Sequence, residues 1–386
     1  MYPNPGNPTS GIFIHNQVKA LVREGISCRV VSPISYFPFH SQWKRGVFPT
    51  QVIMDGIPIH YIPVWLLPYN FFFSSYGYLY YHSIVRFVTA LNEEYNFDLI
   101  HCHRIFPDGF AGGLLKKRLS IPVISTVHGP DFYRDAFRSR WTYRRIEQAL
   151  RMNNHIITVN EQLKRDIHKV APGAEVTTIY NGFDPTKFYP SDQQKARQEL
   201  GITTKGKMLL FVGDFSIQSG LSYLLKAFSE LLQQDSTTIL CLVGDGPLRS
   251  RLMSEARSLG VLKQIIFAGR RPHDEIPLWI NSSDVVVFPG TENGSGTIAL
   301  EAMGCGKPVV ATETIGIAEV VQHRKTGFLV KAGDVKELVR YLSILLDNEK
   351  GLTKDMSERS YSESSNLTWK ENALRIGWLY EQVLRS

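Results

Sequence analysis

Cysteine is scarce in this chain of 386 residues. The four present, Cys28, Cys102, Cys241 and Cys305, are too scattered to form a metal-binding spacing. A reduced, cytoplasmic setting is therefore the expectation. The net charge of +7 and pI of about 9.1 leave room for a phosphorylated or otherwise anionic partner. No arginine-rich arm or nucleic-acid motif accompanies that charge, so nucleic acid is not an expected partner. No secretory leader is visible, and long apolar runs are missing too. The nearest candidate, residues 65–88, carries Pro68, Asn70, His82 and Arg86 among its aromatics and is too polar to cross a bilayer. Its aromatic content suits either a membrane interface or a hairpin and helix packed on their own sheet. A dinucleotide fingerprint is incomplete: Gly244-x-Gly246 runs into Pro247 with no third glycine, which leaves a nicotinamide oxidoreductase little support.

A strand is also lacking ahead of the first glycine loop. Residues 1–11, rich in Pro, Gly and Asn, open directly onto a helix near Phe13–Glu24. In a doubly wound α/β domain such a loop follows the first central strand. Met1 is accordingly read as an internal methionine, with the authentic start upstream. Loss of a central parallel strand would expose both neighbours and remove much apolar burial.

What is present alternates. Short apolar strands and amphipathic helices follow one another along nearly the whole chain, which predicts mostly parallel sheets with helices on both faces. The length favours two domains. The first is expected over 1–185 and the second over 186–366, with an irregular linker at 181–192. Residues 367–386 read as an amphipathic helix through Trp369, Leu374, Ile376, Leu379 and Leu384. In such sheets ligands sit at the carboxyl ends of strands.

Residues 284–310 carry the clearest chemistry. Val285–Phe288 is a buried strand, 290–296 a glycine-rich loop, and Thr297–Met303 a helix. Backbone N–H groups of Gly294, Ser295, Gly296 and Thr297 would face a ligand at the positive end of the helix dipole, an arrangement that binds phosphate. Glu301, one turn on, is placed to accept hydrogen bonds from ribose hydroxyls. The plain alternative is an ordinary strand-to-helix turn with a solvated Glu. His128 ends an apolar strand and points to the ligand crevice or is a hydrogen-bonded loop histidine. His101 and His103 are read as facing opposite sides of their strand, a poor metal pair. The basic stretch 134–151 fits an anionic lipid, a phosphorylated acceptor or a solvated helix face.

These segments, in order, resemble the GT-B glycosyltransferases of family 4 (group 1). The likeness includes Gly11, His101-Cys-His103, Pro107-Asp-Gly109, Thr126-Val-His-Gly129 with Asp131, Asn181-Gly-Phe-Asp184, Phe211-Val-Gly213 with Gly220, Gly244-Asp-Gly-Pro-Leu248 and Glu301-Ala-Met303. The N-terminal wording is most similar to bacterial cell-wall polysaccharide enzymes of the teichuronic-acid type. The resemblance implies two Rossmann-like doubly wound domains facing across a cleft, with the C-terminal helix returning to the first. It implies a retaining transferase at the cytoplasmic membrane face, with a nucleotide sugar as donor, a lipid-linked or polysaccharide acceptor, and no metal or other cofactor. His128 and Glu292 would line the reacting sugar. Gly11 and the 294–297 loop would hold the diphosphate, and Glu301 the ribose. The sequence departs from the family pattern at Asp214, Ser219 and Asn293, where an Arg, a Lys and a Glu are usual. Each charge-assisted hydrogen bond lost there costs about 1.5–3 kcal/mol. Arg270, Arg271, Lys226 and Lys307 are candidate replacements. A non-catalytic GT-B-like subunit assisting a partner transferase is the alternative these departures keep open.

Overall fold

The computed structural model describes residues 2–4, 6–7, 10–36, 49–66, 72–136, 138–204, 206–291, 296–347 and 351–385. The chain divides into two compact units, Met1–Asn181 with Trp369–Ser386, and Gly182–Thr368. Both are α/β.

The first unit holds two sheets. In one, β1 (Val30–Tyr36) pairs in parallel with β3 (Ile57–Trp65), which pairs antiparallel with β2 (Gln51–Met54). The other is all parallel, in the order β4 (Ile100–His103), β5 (Val123–Val127), β6 (His155–Thr158), β7 (Val176–Thr178). Helices Ile12–Arg23, Tyr76–Tyr95 and Phe110–Leu119 lie against these strands and bury their apolar stripes. The terminal helix Trp369–Arg385 buries Trp369, Ala373, Ile376 and Tyr380 against Leu21, Ile124 and Ile157, and Gln17 Nε2 donates to Asn372 Oδ1 at 2.9 Å. Leu374 and Leu384, expected on that apolar face, are exposed. The stripe runs 369, 373, 376, 380, 383 at helical period, and both leucines fall one residue out of phase with it.

The second unit is built on one parallel sheet ordered β10-β9-β8-β11-β12-β13. Its strands are β8 (Met208–Val212), β9 (Ile239–Val243), β10 (Ile265–Gly269), β11 (Val285–Phe288), β12 (Val309–Thr312) and β13 (Gly327–Val330). Alternation splits each central strand between two cores: Leu209, Leu240, Leu242, Val285 and Val287 face one layer of helices, and Met208, Leu210, Cys241 and Val286 the other. Strands buried on both faces read as continuous apolar runs, as Met208-Leu-Leu-Phe211 and Val285-Val-Val-Phe288 do.

Candidate functional site

Strand order fixes where a ligand can sit in the second unit. From β8 the chain winds outward through β9 and β10, then returns to the other side of β8 for β11, β12 and β13. The crevice at the carboxyl ends of β8 and β11 is therefore the topological switch point. Two loops converge there. Thr291 N–H donates to Gln218 O at 2.8 Å. Gly220 packs so closely on the β11 loop that a Cβ there would lie 1.9 Å from Pro289 O, and its φ of +68° is left-handed. Gly220 and Gly296, both left-handed, cap helices Leu221–Gln234 and Thr297–Gly304, and neither has a side chain to offer the amides beyond it. Both helix N-termini thus open at one end of the sheet, where the dipoles favour an anion. Thr297 is the first residue of its helix. Glu292, Gly294 and Ser295 lie outside the described residues, as does Asn293.

Glu301 is only 5% exposed, which rules out the solvated side chain of the plain alternative. His273 Nε2 contacts its Oε1 at 2.8 Å, and the Phe188 ring lies against His273 at 5.3 Å. Burial pulls the His273 pKa down, but the hydrogen bond and charge of Glu301 outweigh it and leave the imidazole above its ordinary value. Sequence reasoning missed His273. The two residues are 28 apart in the chain, and no periodicity or motif joins them.

The candidate cations are now separable. Arg270 reaches Asp214 Oδ1 at 3.4 Å, so a guanidinium stands beside the carboxylate that replaces the expected Arg. Both are exposed, so the pair is a weak one. Arg271 is engaged by Ala268 O and Glu275. Lys307 is excluded by position: its N–H donates to Ala302 O at the far end of helix Thr297–Gly304. Burial also lowers its pKa. Lys226 lies more than a turn into its helix, beside Arg251 and Glu255.

In the first unit, His128 follows β5 and is buried. Its ring stacks on His103 at 5.4 Å and 10°, with Nε2 to His103 Nδ1 at 3.2 Å, and lies edge-on to Phe13 at 5.0 Å. Phe13 stands two residues past Gly11, the left-handed cap of helix Ile12–Arg23, so Gly11 and His128 share one end of this unit. Asp131 accepts from the backbone N–H of His128 at 2.9 Å and of Ile105 at 3.1 Å, which fixes the turn after β5. His101 contacts Thr126 Oγ1 at 2.7 Å and Tyr380 OH at 2.6 Å. Its ring stacks on His103 at 4.6 Å, so the assignment of these two histidines to opposite faces is overturned. Residues two apart in a strand share a face. Burial lowers all three pKa values, that of His101 to about 4 and that of His128 to about 3. The three rings form a neutral stack at neutral pH. Nδ1 of His128 has no partner among the described residues.

The basic stretch is mostly satisfied internally. Arg104, Arg134 and Arg138 surround the buried Asp135 at 3.3, 3.4 and 3.1 Å. Arg145 lies over Tyr78 and Phe110, and Arg151 pairs with Glu147. Among the described residues, no helix is long and apolar enough to cross a membrane.

Residues 192–363 match the model of the glycosyl transferases group 1, and residues 10–187 that of glycosyltransferase family 4. D-inositol 3-phosphate glycosyltransferase of Corynebacterium jeikeium is 30% identical over 323 residues, 78% of this chain and 75% of that protein. The chain belongs to the group 1, family 4 glycosyltransferases. TuaC of Bacillus subtilis, named for teichuronic acid biosynthesis, is 25% identical over 339 residues, 83% of this chain and 81% of its own. Among solved structures, HepE of Anabaena in complex with UDP and glucose superposes with a TM-score of 0.74 at 20% identity, covering 98% of this chain and 97% of that one. This glycosyltransferase thus has the GT-B fold of two Rossmann-like parallel-sheet domains.

Proposed function

We propose that this glycosyltransferase moves a sugar, with retention at the anomeric carbon, from a nucleoside-diphosphate sugar to a lipid-linked or polysaccharide acceptor in bacterial surface-polysaccharide synthesis at the cytoplasmic membrane face. The observation that carries the reading is the pair of glycine-capped helices opening together at the β8–β11 switch point, with Glu301 one turn into the second. UDP in HepE and the teichuronic-acid role in TuaC's name support the donor and acceptor classes.

Breaking the bond from anomeric carbon to phosphate makes the sugar positive and the leaving diphosphate more negative. Donors already aimed at that diphosphate stabilise the transition state more than the ground state. Amides at the starts of helices Leu221–Gln234 and Thr297–Gly304 take this role, with those at Gly11 and at Gly294, Ser295 and Gly296. Arg270, released from Asp214, supplies the cation. Glu301 accepts from the ribose hydroxyls, and His128 and Glu292 line the reacting sugar. No metal is needed in this scheme.

Isothermal titration of the full chain with UDP-, GDP- and ADP-sugars tests the donor site. Micromolar binding of one donor is expected, and no heat from any donor with folded protein rejects the reading. The D214R/S219K double variant tests the rest. A fall in existing transfer marks a respecialised enzyme, and a rise from near zero favours the non-catalytic assisting subunit.

A further inference from the structure

Glu301 is a buried carboxylate one turn behind the helix amides proposed to receive a diphosphate. Its charge suits ribose hydroxyls and opposes the phosphates. The four residues from Thr297 to Glu301 span about 6 Å of helix, a range at which like charges in a protein repel appreciably. His273 is placed both to fix this side chain and to offset its charge. It stands on the turn His273–Glu275 after β10, with Nε2 2.8 Å from Glu301 Oε1. A carboxylate oxygen accepts, so Nε2 carries the hydrogen and Nδ1 is where a second proton comes and goes. The Phe188 ring packs against the imidazole, with centroids 5.3 Å apart. Lys187 and Asp274 also act on the ring, but they are paired with each other. On the same turn Glu275 pairs with Arg271. Glu301 is therefore the main charge at the ring. A quarter of the His273 side chain remains exposed, so the ring can exchange protons with water.

We propose that His273 is a positioning residue of the donor site. It fixes Glu301 for the ribose hydroxyls and takes up part of a proton when the donor's diphosphate arrives, so that donor affinity falls as the pH rises. This rests on the donor site proposed above. The two roles are chemically separate. Donation from Nε2 to Glu301 persists whether or not Nδ1 is protonated, so orientation does not depend on pH. The positive charge exists only while Nδ1 holds its proton, so its help to a dianionic ligand belongs to the acid side. An anion brought near an imidazolium makes that proton harder to remove. A ligand that favours the protonated form carries protons onto the protein by linkage. In the free protein the His273 pKa already lies above its ordinary value, and the donor raises it further. Proton uptake is greatest between the free and bound values and vanishes well below and well above them. His128, proposed to line the sugar, has a pKa of about 3 and does not titrate in this window.

The test is isothermal titration of the full chain with UDP-, GDP- and ADP-glucose, whose diphosphate keeps its charge from about pH 6 to 8.5. Each titration is run in HEPES and in Tris, which differ in heat of ionisation and so report protons taken up. The donor that binds wild type is expected to lose roughly 3- to 10-fold in affinity across that range. It should carry about 0.3–0.5 proton onto the protein near neutrality. His273→Gln keeps an N–H donor at the reach of Nε2 and cannot titrate. It should bind with the wild type's alkaline affinity at every pH and take up no proton. His273→Ala loses the donor as well and should bind more weakly than the Gln variant at both ends of the range. Wild-type binding without proton uptake, or equal uptake in H273Q, overturns the proposal. So does an affinity in H273A equal to that in H273Q. If none of the three donors binds, the donor site itself is rejected and the role of His273 with it, so the two failures are told apart.

Discussion

Histidine is put to opposite uses in the two units. At the carboxyl ends of β4 and β5, His101, His103 and His128 stack ring on ring, with no carboxylate against any ring nitrogen among their recorded partners. Burial is the main cause of their lowered pKa values, with smaller contributions from charged neighbours at His103 and His128, and it keeps them neutral. In the second unit His273 is also largely buried, yet it meets the Glu301 carboxylate at 2.8 Å, and that contact raises its pKa. The same side chain, removed from water in both places, is pushed in opposite directions by what it faces. In the proposed function, the neutral stack would form a wall beside a sugar that becomes positive. His273, in the same proposal, would orient the Glu301 side chain that receives the ribose hydroxyls.

The sharpest way to break the first half of this contrast is Asp131→Ala. It leaves the buried N–H groups of His128 and Ile105 without acceptors, each costing about 1–3 kcal/mol. A loss on the order of 3–5 kcal/mol is expected, read as a fall in denaturation midpoint without change in slope. A loss under about 1 kcal/mol would mean that the turn is held by something else.

Acid titration comes next. The three histidines have folded-state pKa values below those of the unfolded chain, so below pH 6.5 the unfolded chain binds more protons. Stability from the stack is complete above that pH and falls progressively as the pH drops toward about 4 and about 3. Proton NMR of the ring resonances should show His101 and His128 neutral at pH 5.5. Ordinary titration near 6.5 would remove the basis of the contrast.

For the second unit the largest effect expected is on ligand. Glu301→Gln keeps the shape but loses the charge proposed to receive ribose hydroxyls, about 1.5–3 kcal/mol, or roughly 10- to 150-fold in affinity for a nucleoside diphosphate. Calorimetry with UDP and GDP reads it. Unchanged affinity would detach Glu301 from the nucleotide.

What the chain disclosed of itself follows the physics of each feature. Met208–Val212 and Val285–Phe288 were legible because strands buried on both faces have nowhere to put a polar residue. Gly296 was legible as part of a glycine-rich loop ahead of a helix and Gly220 through the family resemblance, and both prove to be left-handed, a conformation that glycine takes without steric cost. The phase of the last helix was not. Leu374 and Leu384 are apolar but lie off the buried stripe, and only packing against Leu21 and Ile124 shows which stripe is used. The facing of His101 and His103 was available from strand alternation and was misassigned. The His273–Glu301 pair is tertiary: a turn after β10 meets a helix after β11, and no spacing encodes it. Arg270 was one of four cations on equal footing until the fold set it beside Asp214.

The smallest effect should separate the two uses of histidine most cleanly. His273 gains a partner on folding, so its folded-state pKa is raised, and below the unfolded value near 6.5 the pair contributes in full. As the pH rises through the folded value the imidazole loses its proton, and that contribution goes. The stack in the first unit thus destabilises toward acid, and the pair in the second toward alkali. With His273 still a quarter exposed, the alkaline loss should be about 1 kcal/mol or less as the pH rises above 6.5. His273→Asn should flatten this alkaline limb and leave the acid limb intact, as read by melting at a series of pH values. A flattened acid limb instead would mean that the two histidine environments are coupled.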